Sequence, residues 1–306
     1  MMTIEQLQKE IIRMKKEQGV SIFAHSYQAH EILEIADYTG DSYALAVKAQ
    51  QDDAKTCLMC GVNFMAETMK ILSPEKKVLV PCPEAGCPMA EQFTPEEILA
   101  EKAKHPDCIV MAYINTTAAL KTVCDVCVTS GSALKICEKL DADEILFIPD
   151  CNLGAFCAER FPEKKFHLMN GGCPVHAAIT GEEAEKAKKK HPNAKLLVHP
   201  ECRSEVVAHA DFAGSTAAIM EYVRKSDENE FIIGTENSIA EHLQYEFPDR
   251  KFYLLSPRLI CTDMKMTTLV DVYNTLKGTA GAEIVIDDET MAKAKVCIDR
   301  MLEMGG

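Results

Sequence analysis

Three stretches of this chain repeat one pattern: SPEKKVLVP (residues 73–81), FPEKKFHLM (161–169) and FPDRKFYLL (247–255), each a proline, a charged turn and an apolar run. Their prolines, Pro74, Pro162 and Pro248, stand 88 and 86 residues apart. The same offsets carry SIFAHSYQ onto IVMAYINT and KLLVHPEC, which aligns His25, Tyr113 and His199, with Tyr27, Asn115 and Glu201 two places on. They carry ADYTGDS onto CDVCVTS and ADFAGST, which aligns Asp37, Asp125 and Asp211, then Ser42, Ser130 and Thr216. Downstream of each proline-marked run stands one cysteine, Cys87, Cys173 or Cys261, again 86 and 88 residues apart. A period this long exceeds a solenoid unit, so the repeat describes three small domains.

Within each module apolar runs alternate with short helical patterns: SIFAH, a helix such as HEILEIAD, a short strand ending at Ser or Thr, a helix, TCLMCGV, another helix, and the proline-marked strand. Strands alternating with helices imply a parallel sheet covered on both faces. The fold class is therefore α/β, with three αβα modules related by pseudo-threefold symmetry around a central site. The expected division is 1–106, with an N-terminal helix, then 107–192, 193–263 and a closing segment 264–306. The module linkers open with Thr-x-x-Glu capping boxes, Thr94 with Glu97 and Thr180 with Glu183. Thr3 with Gln6 caps a first helix whose apolar positions are Ile4, Leu7, Ile11 and Met14, and residues 287–304 form a last helix.

The chain has 306 residues, 47% of them apolar and 26% charged, an ordinary globular mix. No segment has the continuous apolar run of a signal peptide or a membrane span, so a cytoplasmic location is expected. The net charge of -14 speaks against nucleic acid and anionic membrane as partners, because both select Lys/Arg excess. Fourteen cysteines in such a chain point to metal ligation, catalysis or buried small side chains rather than disulfides. The pairs Cys57/Cys60 and Cys124/Cys127 have CxxC spacing, but both lie in apolar runs that read as buried strands, so they are assigned to the core.

Ligands of open parallel sheets bind beyond the carboxyl ends of the strands. His25, Tyr27, Ser42 and Cys87 all follow strand ends in the first module, and their counterparts do so in the others, so twelve positions converge if those ends face inward. The plainer readings are that Ser42, Ser130 and Thr216 are helix N-caps and that Asp37, Asp125 and Asp211 bond loop backbone. Against those stands the pattern of change: the cysteine is kept three times, while the strand-end pairs read His-x-Tyr, Tyr-x-Asn and His-x-Glu and stay polar. Three thiolates with no fourth in register suit a metal centre with one open position, either zinc or an iron-sulfur cluster. An iron left open acts as a Lewis acid in dehydratase chemistry. Two other readings are an iron-sulfur electron carrier with redox CxxC pairs and a zinc-stabilised sugar-phosphate binder.

The segments AHSYQ, IADYTGDS, CGVNFMAETMKILSPEKKVLVP, EAGC, AYINT, VTSGSA, IPDCNLG, GGCPVH, HPEC, GSTAAIMEY, GTEN and CTDMKMTTL together resemble the quinolinate synthase (NadA) family over essentially the whole chain. The resemblance implies three αβα domains with a [4Fe-4S] cluster at their junction, held by three cysteines with one open iron. It implies condensation of iminoaspartate (iminosuccinate) with dihydroxyacetone phosphate to quinolinate, phosphate and two waters, a transferase step in de novo NAD biosynthesis. Carried over by position, Cys87, Cys173 and Cys261 are the cluster ligands. His25, Ser42, Tyr113, Asn115, Ser130, His199, Glu201 and Thr216 bind substrate, and Tyr27, Glu201 and His25 are the catalytic positions. His176, beside a ligand in CPVH, is a weaker candidate. The partners implied are those two small molecules, with iminoaspartate handed over from the enzyme that makes it.

Overall fold

A computed structural model describes residues 2–305. The first sheet contains β1 (Val20–His25), β2 (Tyr38–Gly40), β3 (Thr56–Cys60) and β4 (Lys77–Val80). The second contains β5 (Ile109–Tyr113), β6 (Val126–Val128), β7 (Glu144–Ile148) and β8 (Lys165–Leu168), and the third β9 (Lys195–Val198), β10 (Phe212–Ala213), β11 (Glu230–Gly234) and β12 (Lys251–Leu254). Each is ordered second, first, third, fourth, and these strands pair in parallel throughout. The register repeats as well: Ile22 faces Leu58, Val110 faces Leu146 and Leu196 faces Ile232. The sequence offsets are thus offsets of strand pairing.

The aligned aspartates show why the repeat includes them. The carboxylates of Asp37, Asp125 and Asp211 accept the backbone N–H of Ile22, Val110 and Leu196, each at 2.8 Å. Lys15, Lys102 and Lys188 pair with the same three carboxylates at 2.8, 3.0 and 3.1 Å. The expected partner was loop backbone, and the observed one is the first strand of each module. The reason is length: β2, β6 and β10 are too short to cover the start of their neighbour, and a buried strand N–H needs an acceptor. The aspartate side chain supplies it.

The termini close the molecule differently from the modules. The first helix, Ile4–Gln18, has the Thr3/Gln6 capping box and buries Leu7, Ile11 and Met14 against helix Leu269–Leu276, whereas Ile4 is 60% exposed because the first turn overhangs the core. A final short strand, β13 (Ala282–Glu283), adds antiparallel to the edge of β4. Gly281 makes that turn at φ 78°, where a Cβ would stand 2.8 Å from the Val80 carbonyl oxygen. The last helix, Asp288–Gly305, packs Ala294, Cys297, Ile298 and Met301 into the core of the second module. Cys57, Cys60 and Cys127 are fully buried on strands as expected. Cys124 is also buried, but it lies in the loop before β6, and its thiol donates to the Leu120 carbonyl at 3.1 Å.

Candidate active site

The first strand of each sheet runs toward the other two modules and stops at a polar residue: His25 and Tyr113 end β1 and β5, and His199 follows β9. The chain then leaves for the neighbouring edge strand and returns on the other side, the topological switch where α/β sheets open a crevice. The three crevices meet in one cavity of about 90 Å³. All twelve positions expected from the repeat line it: His25, Tyr27, Ser42, Cys87, Tyr113, Asn115, Ser130, Cys173, His199, Glu201, Thr216 and Cys261.

The hydroxyl positions are not caps. Helix Ser42–Gln51 is capped by Asp41, which accepts from the Ala44 N–H at 2.9 Å, and helix Thr216–Lys225 by Ser215, which accepts from the Ala218 N–H at 3.2 Å. In the second module Thr129 accepts from the Ser132 N–H at 3.0 Å, and the helix starts only at Ala133. In each module the local bond is made one residue earlier, which leaves Ser42, Ser130 and Thr216 to the cavity. The two ten-residue helices also aim their N-terminal N–H groups at it, which favours an anion.

Two imidazoles are fixed alike. The backbone N–H of Tyr27 donates to His25 Nδ1 at 3.1 Å, and that of Glu201 donates to His199 Nδ1 at 3.3 Å. Both rings therefore carry their proton on Nε2. Burial pushes His25 down to about 3, helped by Lys265, and pushes His199 down to about 4 against the pull of Glu201. They are neutral donors at neutral pH.

A hydrogen-bonded chain crosses the cavity wall. The Tyr27 hydroxyl lies 2.8 Å from Thr216 Oγ1 and 2.9 Å from Thr235 Oγ1. Thr235 Oγ1 is 3.1 Å from His176 Nε2, and His176 Nδ1 is 2.7 Å from Glu201 Oε2. Burial opposes ionisation of Glu201, but the imidazoles of His199 and His176 and hydrogen bonds from His176 and Tyr113 outweigh it, so the carboxyl sits below its usual range. Tyr27 and Tyr113 are held well above theirs, by burial first and then by Glu201. At neutral pH Glu201 is ionised, the rings of His25 and His199 are neutral, and the phenols of Tyr27 and Tyr113 keep their protons.

The three cysteines enter from three modules and are only partly exposed. Burial raises all three thiols, Cys87 to about 12, while the backbone N–H groups of Ala90, His176 and Met264, each three residues downstream, favour the thiolate. Such N–H groups around sulfur are a feature of iron-sulfur ligation, and a bound metal deprotonates its thiols. Among the described residues, the donor groups packed within 4.8 Å of one another are Cys173 with His176 and Glu201, and His105 with Glu144 and His167. The three cysteines are not such a group. Their spread suits a multi-iron cluster better than one ion, whose ligands crowd together. Asp150 fixes the Cys173 loop by accepting its N–H at 2.9 Å and that of Leu153 at 2.7 Å.

The repeat found what is present three times and missed what one module alone supplies. His176 corresponds to Ala90 and Met264, and Thr235 to Pro149 and Gly61. The signal for Thr235 was its place directly after β11, at a strand end.

Fold and cavity together define a three-module α/β protein with one polar, thiol-lined site shared by all modules. A sequence profile described as "Quinolinate synthetase A protein" matches residues 9–303. The chain is 46% identical over 304 residues to the quinolinate synthase of Caldicellulosiruptor bescii, covering 99% of this chain and 100% of that one. It is 45% identical over 298 residues to that of Clostridium kluyveri, covering 97% and 98%, and 44% identical over 308 to that of Aquifex aeolicus, covering 98% and 95%. The chain belongs to the quinolinate synthase family. A solved reductase, E-1-hydroxy-2-methyl-but-2-enyl-4-diphosphate reductase of Plasmodium falciparum, is similar over 84% of this chain and 81% of its own at 12% identity, with a TM-score of 0.31 too low to inform the fold.

Proposed function

We propose that this protein is a cytoplasmic quinolinate synthase of NAD biosynthesis. It condenses iminoaspartate with dihydroxyacetone phosphate to quinolinate, with loss of phosphate and two waters. The observation that carries this reading is the meeting of all twelve repeat positions in one cavity of a chain that belongs to the family. Cys87, Cys173 and Cys261 would hold a [4Fe-4S] cluster, and the donor set fits: three thiols, one per module, each with a backbone N–H toward its sulfur. Held by three cysteines, such a cluster would leave one iron open and supply Lewis-acid polarisation of a substrate oxygen.

The remaining work falls to the chain. Both substrates are anions, and the site meets them with neutral donors: the Nε2–H groups of His25 and His199, the hydroxyls of Ser42, Ser130, Tyr113 and Thr216, the Asn115 amide and two helix N-termini. Neutral donors bind carboxylate and phosphate without placing a counter-charge beside the thiolates. Condensation and two dehydrations need protons taken from carbon and given to oxygen. Glu201 is the base, ionised at neutral pH and oriented by the Nδ1–H of His176, whose Nε2 accepts from Thr235, while the Tyr27 phenol keeps its proton to donate. Iminoaspartate arrives from the enzyme that forms it.

Anaerobically purified protein, given both substrates, is expected to form quinolinate and to contain roughly four irons and four sulfides per chain. Zinc in place of iron, lost on Cys173→Ser, without turnover would establish the sugar-phosphate binder instead. Iron without turnover would leave an electron carrier.

A further inference from the structure

Far from the cavity, at the amino end of the second sheet, stands a second cluster of ligating side chains. Glu144 opens β7, His167 lies in β8, and His105 follows helix Pro95–Lys102. His167 Nε2 is 2.8 Å from Glu144 Oε2, and the rings of His105 and His167 stack with centroids 3.5 Å apart. Their ligand atoms all lie within 4.8 Å of one another. On the preceding turn, Glu101 Oε1 stands 3.8 Å from His105 Nε2. The side chains are 12–33% exposed, open enough for an ion to enter.

The third module shows the same architecture doing ordinary packing. There His191 stacks on Tyr253 at 3.6 Å, and the Tyr253 hydroxyl donates to Glu230 at 3.1 Å. Those positions correspond to His105, His167 and Glu144 by the module offset of 86. A stacked ring bonded to a glutamate is therefore a structural solution in its own right. The second module departs from it in one respect: a nitrogen that ligates metal replaces a phenol that does not. In the first module Leu79 and Thr56 hold the places of the ring and the glutamate, so nothing there ligates.

We propose that His105, Glu144 and His167 bind one borderline divalent transition ion, Zn²⁺ or a similar ion, at a site separate from the three cysteines. Two imidazoles and a carboxylate are a zinc donor set, with water or Glu101 completing the tetrahedron. Ligands on a tetrahedral ion at ~2.1 Å stand ~3.4 Å apart, so the His167 to Glu144 contact, now 2.8 Å, opens by ~0.6 Å on binding. The stacked rings splay to aim both nitrogens at the ion.

The test is anaerobic calorimetric titration of the purified protein with ZnCl₂, run beside His167→Tyr and Glu144→Gln. His167→Tyr installs the ring that the third module uses, so stack and glutamate contact are kept and only the ligand is lost. Wild type is expected to take up one equivalent of zinc. Both variants are expected to bind it at least ~100-fold more weakly, beyond the 10–100-fold that loss of an outer-shell partner costs, with iron content, quinolinate formation and melting temperature unchanged. Equal zinc binding in wild type and both variants, or none in wild type, overturns the proposal. Loss of iron or turnover is read separately and bears on the cavity alone.

Discussion

The cysteines of the cavity and those in the core of the second module differ in how far they are sealed from solvent. In the core, Cys124 donates to the Leu120 carbonyl at 3.1 Å and Cys297 to the Ala294 carbonyl at 3.2 Å, while Cys127 and Cys297 touch each other at 3.3 Å. These sulfurs pack among Val126, Ile136 and Ile298. In the cavity each sulfur has a backbone N–H directed at it and a share of open surface. The core sulfurs are closed to any incoming ion, and the cavity sulfurs are open to one. CxxC spacing in this chain marks buried core cysteines.

The hardest test of that contrast is Cys173→Ser. A hydroxyl is a poor substitute for a thiolate on iron, and no other cysteine lies in register. Iron content, cluster absorbance and quinolinate formation are expected to vanish together. Iron retained in this variant would show that the cavity cysteines are packing residues like the others.

A smaller effect separates ligation from proton transfer within the cavity. Glu201→Gln keeps the shape of the 2.7 Å contact to His176 but cannot accept a proton. Turnover is expected to fall by ~10²- to 10⁴-fold with iron content unchanged, as for loss of a general base. Tyr27→Phe is expected to do the same by removing the hydroxyl that meets Thr216 and Thr235. A near wild-type rate with full iron in either would place the proton elsewhere.

The cavity also titrates where the core does not. His25 and His199 are pushed down to about 3 and about 4 in the folded chain, below the ~6.5 of an unfolded histidine. Between those limits the unfolded state binds protons that the folded state refuses. Stability is therefore fully present above ~6.5 and falls on acidification, by up to ~1.4 kcal/mol per pH unit for each ring. Urea midpoints from about pH 7 to about pH 5 measure it. Buried Asp150, raised to about 7, acts in the opposite sense over the same range, so the readout is the difference between the two proteins: His25→Gln is expected to lose less stability on acidification than wild type, and an unchanged slope would mean that His25 is charged in the fold.

The smallest effect belongs to the core. Cys127→Ser buries a hydroxyl in place of a thiol and is expected to cost ~1–3 kcal/mol in denaturant unfolding, with iron and turnover intact. Iron lost from a still-folded Cys127→Ser would erase the distinction between the two regions.

The legible part of the site was the triplicated part. His25, Tyr113 and His199 were found because one strand end recurs, and Cys87, Cys173 and Cys261 because one loop does. His176 entered only as a weaker candidate and Thr235 was not named, because their counterparts are alanine and methionine, proline and glycine. The aspartates were recognised as structural but given the wrong partner, since nothing in the sequence says how short β2, β6 and β10 are. The caps at Asp41 and Ser215 turned on a single residue, finer than strand and helix patterns resolve.

By itself the sequence determined three modules, their strand order of alternation, the helix starts at Thr3, Thr94 and Thr180, and which cysteines lie in register. Those features depend on hydrophobic period, turn residues and spacing, all of which act over short stretches of chain. Only the tertiary structure decided that Tyr27 of the first module, His176 of the second and Thr235 and Glu201 of the third form one hydrogen-bonded chain. Those groups are remote in sequence and belong to separate sheets. A bond such as 2.7 Å between His176 and Glu201 exists only once two modules have packed their strand ends together and excluded the water that would otherwise take it.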